Sequence, residues 1–167
     1  MEYRPQEDQG FNVIVTHDAK YISLLSTHRR RMWEEIGWFT EKELRTHERN
    51  YRRWLRPRLK SGRVTAFIAL RANRVAASGC LWLREEQPRP GSVHSLVPYL
   101  MSMYTEEDMR MRGAASKIVT EALMRAGRRG FDRVVLHTSH FGLRVYQRLG
   151  FVQSNEMVCT LPDTGSR

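Results

Sequence analysis

The chain has 167 residues, enough to bury one hydrophobic core and too few to make two typical domains the expectation. Its 28 Lys and Arg outnumber 18 Asp and Glu for a net charge of +10, which calls for an anionic partner or for solvent. There is no run of about 18 apolar residues, no charged-then-apolar leader and only two cysteines, Cys80 and Cys159, both in apparent strands; the expectation is a cytoplasmic protein without a membrane span, a secretory signal or a disulfide framework.

Asn12 to Val15 reads as a short opening strand and Asp18 as the N-cap of the first helix. Tyr21, Leu24, Leu25, His28 and Met32 share one face at helical spacing, which marks that face as core. Thr40-Glu41-Lys42-Glu43 has the form of a capping box, with the Thr40 hydroxyl and the Glu43 carboxylate satisfying N–H groups at a second helix start. Leu44, Tyr51, Leu55 and Leu59 continue the buried stripe, and Ser61-Gly62 ends the helix. The apolar runs Val64 to Leu70 and Val75 to Leu83 flank Ala72-Asn73, where a hairpin turn is expected. Glu85 to Ser95, with Pro88, Pro90 and Gly91, reads as a surface loop. Tyr99 to Tyr104 returns to the sheet, Ala115 to Arg129 forms a long amphipathic helix, and Gly130 caps it in the left-handed region. Arg133 to Leu136 is a strand and Phe141 to Leu149 a last short helix ended by Gly150. Phe151 and the alternating segment Met157 to Leu161 complete the sheet, and Asp163 to Arg167 is a frayed tail. No repeat, low-complexity tract or linker divides residues 1–167, so they read as a single domain.

The densest chemistry lies in Arg110-Met111-Arg112-Gly113-Ala114-Ala115, between the strand and the long helix. Gly113 permits a tight turn and a close backbone approach, and Ala114, Ala115 and Ser116 keep the first helical turn bare. The opening N–H groups of a helix lack internal acceptors, and the aligned peptide dipoles add roughly half a positive charge there. Phosphate oxygens are the natural partner, and Arg110 and Arg112 add donors for the same anion.

Together with Tyr146-Gln147-Arg148-Leu149-Gly150-Phe151, this turn resembles the GNAT superfamily of acyl-CoA-dependent N-acetyltransferases. Arg110-x-x-Gly113-x-Ala115 matches that family's pyrophosphate loop, the second motif looks like its Tyr-x-x-x-Gly-Phe signature, and their separation also fits. The resemblance covers nearly the whole chain. It implies an α/β domain of α+β type, with a mixed, mostly antiparallel twisted sheet of about six to seven strands and about four flanking helices.

The resemblance further implies acetyl-CoA as cosubstrate, no metal, and direct transfer to a primary amine, most readily that of a small molecule. In that pattern the strand at Leu100 to Tyr104 separates from its neighbour, and the main chain of Met101, Ser102 and Met103 holds the pantetheine arm. Tyr146 takes the place of the general acid that protonates the departing thiolate. Two positions depart from the commoner pattern: Ser139 stands where many members have asparagine and Gly142 where they have alanine. Ser139 still offers one hydrogen bond to the cofactor arm, with shorter reach.

The general base stays open among Glu85, Glu86, His94, His137, His140 and a water chain. Glu34 and Glu35 are candidates to bind an ammonium group, whereas Arg29 to Arg31 with Trp33 and Trp38 suggest an acceptor with an anionic or planar part. A protein- or peptide-modifying enzyme and a noncatalytic acyl-CoA-binding module are the alternatives. A nucleic-acid surface on the arginine clusters at 28–31 and 52–58 is a further one, although a solvated helix face is the favoured reading of those residues. A homodimer is compatible with the sequence without being indicated by it.

Overall fold

The computed structural model describes residues 10–92, 94–139 and 142–159. A five-stranded sheet runs in the order β1-β2-β3-β4-β5, from β1 (Asn12–Thr16), β2 (Val64–Arg71), β3 (Arg74–Glu85) and β4 (Leu96–Thr105) to β5 (Val135–Leu136). All pairs are antiparallel except β4 with β5, which is parallel. The helices are α1 (Ile22–Ile36), α2 (Glu41–Lys60), α3 (Ala114–Arg128) and α4 (Leu143–Arg148). No helix among the described residues is long and apolar enough to cross a membrane.

Strand alternation sorts the core onto two faces of the sheet. Val64, Ala66 and Cys80 point toward Ile22 and Leu25 of α1 and Tyr51, Leu55 and Leu59 of α2. Phe67, Ala69, Leu81 and Leu100 point the other way, toward Ile118, Val119, Ala122 and Ala126 of α3. The expected capping box forms: the Thr40 N–H donates to Glu43 at 2.7 Å, and the Glu43 N–H donates to Thr40 Oγ1 at 3.3 Å. At the β2–β3 hairpin, Ala72 and Asn73 adopt φ of 47° and 63°, the left-handed pair that matches the twist of the flanking strands.

Several expectations are corrected. Asp18 caps a 3₁₀ turn at Ala19–Tyr21, accepting from the Lys20 N–H at 2.9 Å, and α1 starts after that turn. The fifth strand is Val135–Leu136 alone, shorter than the stretch from Arg133, and among the described residues the sheet holds five strands against the six to seven expected. Residues 151–159 form no strand, and Met157, Val158 and Cys159 are exposed. An edge two residues long supplies too few ladder hydrogen bonds to fix a further strand, whatever the alternation of the segment. Phe151 joins the α3-side core from a non-strand position. Leu161, the tail from Asp163, His140 and Phe141 lie outside the described residues.

Candidate active site

The site begins where β4 and β5 part. Their pairing is limited to Tyr99 with Val135 and Leu100 with Leu136, so past Leu100 the β5-facing edge of β4 has no strand partner among the described residues. On its other edge β4 carries a bulge: Cys80 pairs with Met101 and Ser78 with Tyr104, leaving Ser102 and Met103 opposite Gly79 alone. Ser102 takes up the extra residue at φ 55°. Gly79 makes this fit, because a Cβ there would overlap the Met103 sulfur and stand 3.3 Å from Ile118 Cγ2. The Ser102 hydroxyl turns toward the helices, accepting from Arg29 Nη1 at 2.8 Å and from the Tyr51 hydroxyl at 3.3 Å.

Downstream, Gly113 is the N-cap of α3 at φ 87°, with no side-chain cap, and Met111 is also left-handed at φ 59°. The amides of Ala114, Ala115 and Ser116 therefore open the helix without an intrahelical acceptor. Left-handed residues in such a turn help to gather successive N–H groups into an anion-sized concavity. Arg112 is exposed and Met111 fully so. Arg110 is engaged elsewhere: its guanidinium is ion-paired with Glu35 at the end of α1, donates to the Thr105 carbonyl at 3.2 Å and lies over the Tyr104 ring.

Tyr146 sits on α4 with its ring against Phe151 and against the backbone of Gly142. A Cβ at 142 would stand 2.9 Å from Tyr146 Cε2 and 2.8 Å from Thr138 Oγ1, so this position keeps the ring close to the helix start. Burial, and secondarily the nearby Tyr99, push the Tyr146 phenol up to about 12. Ser139 is exposed, and its carbonyl accepts from the Gly142 N–H and the Thr138 hydroxyl.

Beside this tyrosine lies a side-chain chain that the sequence leaves unassembled. The Tyr99 hydroxyl is 2.5 Å from His137 Nδ1, and His137 Nε2 is 2.9 Å from Glu156 Oε2. With Glu156 ionised, Nε2 carries the proton it donates, and Nδ1 accepts from the phenol. Burial raises the Tyr99 phenol, while Arg84, 4.9 Å above its ring, counters that rise. Tyr99 also ends an aromatic row that runs from His47 through Tyr51, Trp54 and Trp82. His137 is among the base candidates of the sequence, whereas Tyr99 reads there only as a strand residue and Glu156 carries no motif at all. Separations of 38 and 19 residues leave no local signal for such a chain.

Among the described residues, the carboxylates offered as base or ammonium-binding groups are already paired. Glu85 pairs with Arg63 and Glu86 with Arg133, and His94 packs on Phe131 with centroids 4.5 Å apart. Glu34 pairs with Arg30 and Glu35 with Arg110, so neither carboxylate stands free for an ammonium group. Trp38 is 84% exposed, whereas Trp33 packs between Phe39 and His47.

The sequence matches the model of the acetyltransferase (GNAT) family over residues 26–151. Its fold is similar to that of a GCN5-related N-acetyltransferase from Ralstonia eutropha, at 24% identity and a TM-score of 0.82, covering 91% of this chain and 99% of that one. It is also similar to a predicted acetyltransferase from Clostridium acetobutylicum solved with acetyl-CoA, at 23% identity and a TM-score of 0.80, covering 90% and 96%. An aminoglycoside N-acetyltransferase in complex with CoA is more distant, at 15% identity and a TM-score of 0.69, covering 92% and 95%. No curated protein sequence matches the chain.

Proposed function

The chain belongs to the GNAT acetyltransferase family, and from that premise we propose that it moves an acetyl group from acetyl-CoA to a primary amine of a small molecule, by direct transfer in a ternary complex. The observation that carries the reading is the unpaired edge of β4 past Leu100, followed in the chain by the uncapped opening of α3 at Gly113. An amide-bearing pantetheine arm can hydrogen-bond the main chain of Met101, Ser102 and Met103 as a further strand would, with Ser139 as an added polar contact. The amides of Ala114 to Ser116 then take the pyrophosphate, and Arg112, exposed and in no ion pair among the described residues, is the arginine of the turn placed to add charge. A groove of about 640 Å³ beside Trp82, Arg58 and Arg84 is of small-ligand size, within a range of roughly 300–1,000 Å³.

In the transfer, the amine nitrogen forms a bond to the thioester carbonyl carbon, the C–S bond breaks with its electron pair on sulfur, one proton leaves nitrogen, and the released thiolate takes its proton from solvent. Tyr146 is the group assigned to the sulfur. A phenol held at about 12 gives its proton to a thiolate of about 8.5 only uphill, so its strongest contribution is a hydrogen bond that stabilises the departing sulfur. Tyr99, His137 and Glu156 are assigned to the nitrogen: Tyr99 Oη takes the ammonium proton as its own proton passes to His137 Nδ1. Glu156 then faces an imidazolium instead of a neutral ring.

Titration with acetyl-CoA by calorimetry, followed by free-thiol release with a panel of amines, tests the assignment. Saturable coenzyme binding with amine-dependent thiol release is the expected result. Correctly folded protein that shows no association at millimolar coenzyme would end it.

A further inference from the structure

α1 carries three consecutive arginines, and the structure treats them differently. Arg30 is paired with Glu34, Glu41 and Glu48, and Arg31 with Glu106. Arg29 has no carboxylate partner among the described residues. Its guanidinium is half-buried over the rings of Tyr51 at 4.8 Å and Trp33 at 5.6 Å. Nε donates to His47 Nε2 at 3.1 Å, and Nη1 donates to Ser102 Oγ at 2.8 Å.

Both of those acceptors are neutral. A histidine that receives a hydrogen bond on Nε2 carries its proton on Nδ1, and burial together with the Arg29 charge lowers the His47 pKa further. The cation is thus held in place by neutral groups, with three of its five N–H donors without an acceptor among the described residues. One turn along α1, the buried indole N–H of Trp33 is likewise without an acceptor. A charge held partly out of water without a counter-ion is costly unless something supplies the opposite sign.

The position of this cation gives it a use. Ser102 is the bulge residue, and Met101 beside it is the first on the released stretch of β4. Two more guanidiniums without carboxylate partners among the described residues lie on the same aromatic row: Arg58 over Trp54 at 4.4 Å and Arg84 over Tyr99 at 4.9 Å. We propose that the acceptor is an amine that also bears an anionic group, a carboxylate or a phosphate, and that Arg29 holds that group while the amine faces the β4 opening. The inference rests on the acetyltransferase reading and narrows its substrate class. It separates this chain from any enzyme whose acceptor is a polycation, because Arg29 repels a second positive charge and the nearby carboxylates on α1 are already paired.

The experiment titrates CoA-loaded protein by calorimetry with matched pairs: tyramine against tyrosine, and ethanolamine against phosphoethanolamine. Spermidine and kanamycin serve as polycations. The anionic member of a pair is expected to bind tighter by roughly tenfold to a hundredfold, the range of a charge-assisted hydrogen-bonded contact. Preference in the tyrosine pair assigns a carboxylate acceptor, and preference in the phosphoethanolamine pair a phosphate. Arg29→Gln is expected to abolish the preference with the CoA affinity within about twofold of wild type, and Arg29→Lys to keep part of it. Should Arg29→Gln fold poorly, raised salt on the wild-type protein is the second readout, weakening the anionic members more than their parents. Equal binding within each pair, no binding by the anionic members, or tighter binding of the polycations overturns the inference. Loss of the CoA titration itself would instead overturn the acetyltransferase reading.

Discussion

Tyr146→Phe separates chemistry from folding at this site. The Tyr146 hydroxyl makes no hydrogen bond to a protein group among the described residues, whereas its ring packs on Phe151 and the Gly142 backbone. Removing the oxygen therefore leaves the packing in place and strands no partner, so Tm should stay essentially unchanged. What is lost is a hydrogen bond to a sulfur that becomes anionic, a contact of about 1.5–3 kcal/mol when one partner is charged. That corresponds to a fall in kcat of roughly tenfold to 150-fold, with acetyl-CoA affinity within a few-fold of wild type. Single-turnover thiol release at saturating coenzyme reads the chemical step directly. A phenol at about 12 also contributes no alkaline limb to the rate profile below that pH. An unchanged single-turnover rate would remove Tyr146 from the mechanism. An alkaline limb between about pH 8 and 9 that disappears in the Phe variant would show that the hydroxyl ionises far below the value its burial imposes, and would overturn the hydrogen-bonding role.

Gly113→Ala places a Cβ on a residue at φ 87°, and is expected to cost about 1–2 kcal/mol in denaturant unfolding and to weaken acetyl-CoA binding by calorimetry, with the amine-binding preference retained. His137→Gln and Tyr99→Phe are each expected to lower kcat, and the double variant to be no slower than the worse single one, because both interrupt the same chain. His28 is buried, bonded to Ser78 at 2.8 Å and facing Glu106, Arg31 and Tyr104; burial, with Arg31 adding to it, lowers its pKa against the opposing pull of Glu106. The unfolded chain then binds this proton more readily than the folded one, so stability is full above about pH 6.5 and declines as pH falls toward the folded value. Thermal melts from pH 8 to 5 should show that decline (about 6.5 marking its onset), and His28→Gln should flatten it even if its Tm is lower throughout.

Features written in contiguous residues are legible in the sequence itself. The Thr40–Glu43 capping box, the left-handed Ala72-Asn73 turn and the Gly113 opening of α3 each depend on the conformational preferences of a few neighbours. Met157 to Cys159, the described part of the expected Met157 to Leu161 strand, form none for a non-local reason: alternation specifies a face, but a strand also needs an edge, and β5 supplies only Val135 and Leu136. Arg110 and Glu35 each read as a ligand-binding group in the sequence, and 75 residues apart they satisfy one another. Opposite charges far apart in the chain look like two binding groups until the fold brings them together. The Tyr99–His137–Glu156 chain is the converse case: the parallel register of β4 with β5 brings Tyr99 near His137, and Glu156 joins them from the non-strand segment 151–159.

The bulge at Ser102 joins the two halves of the proposed site, whose residues come from separate sequence regions. Its left-handed backbone is the local distortion that accompanies the opening of β4, and Gly79 is the residue whose missing side chain accommodates it. The same residue's hydroxyl reaches into the other layer and fixes the Arg29 guanidinium and the Tyr51 phenol. A change in β4 that regularised the strand would move the extra residue out of the ladder and carry Ser102 Oγ away from both donors. The proposed coenzyme edge and the proposed acceptor cation would then be lost together. In the proposed function, position 102 serves through two groups, its backbone along the coenzyme edge and its hydroxyl by holding Arg29. Alanine there should spare the backbone role more than the acceptor contact.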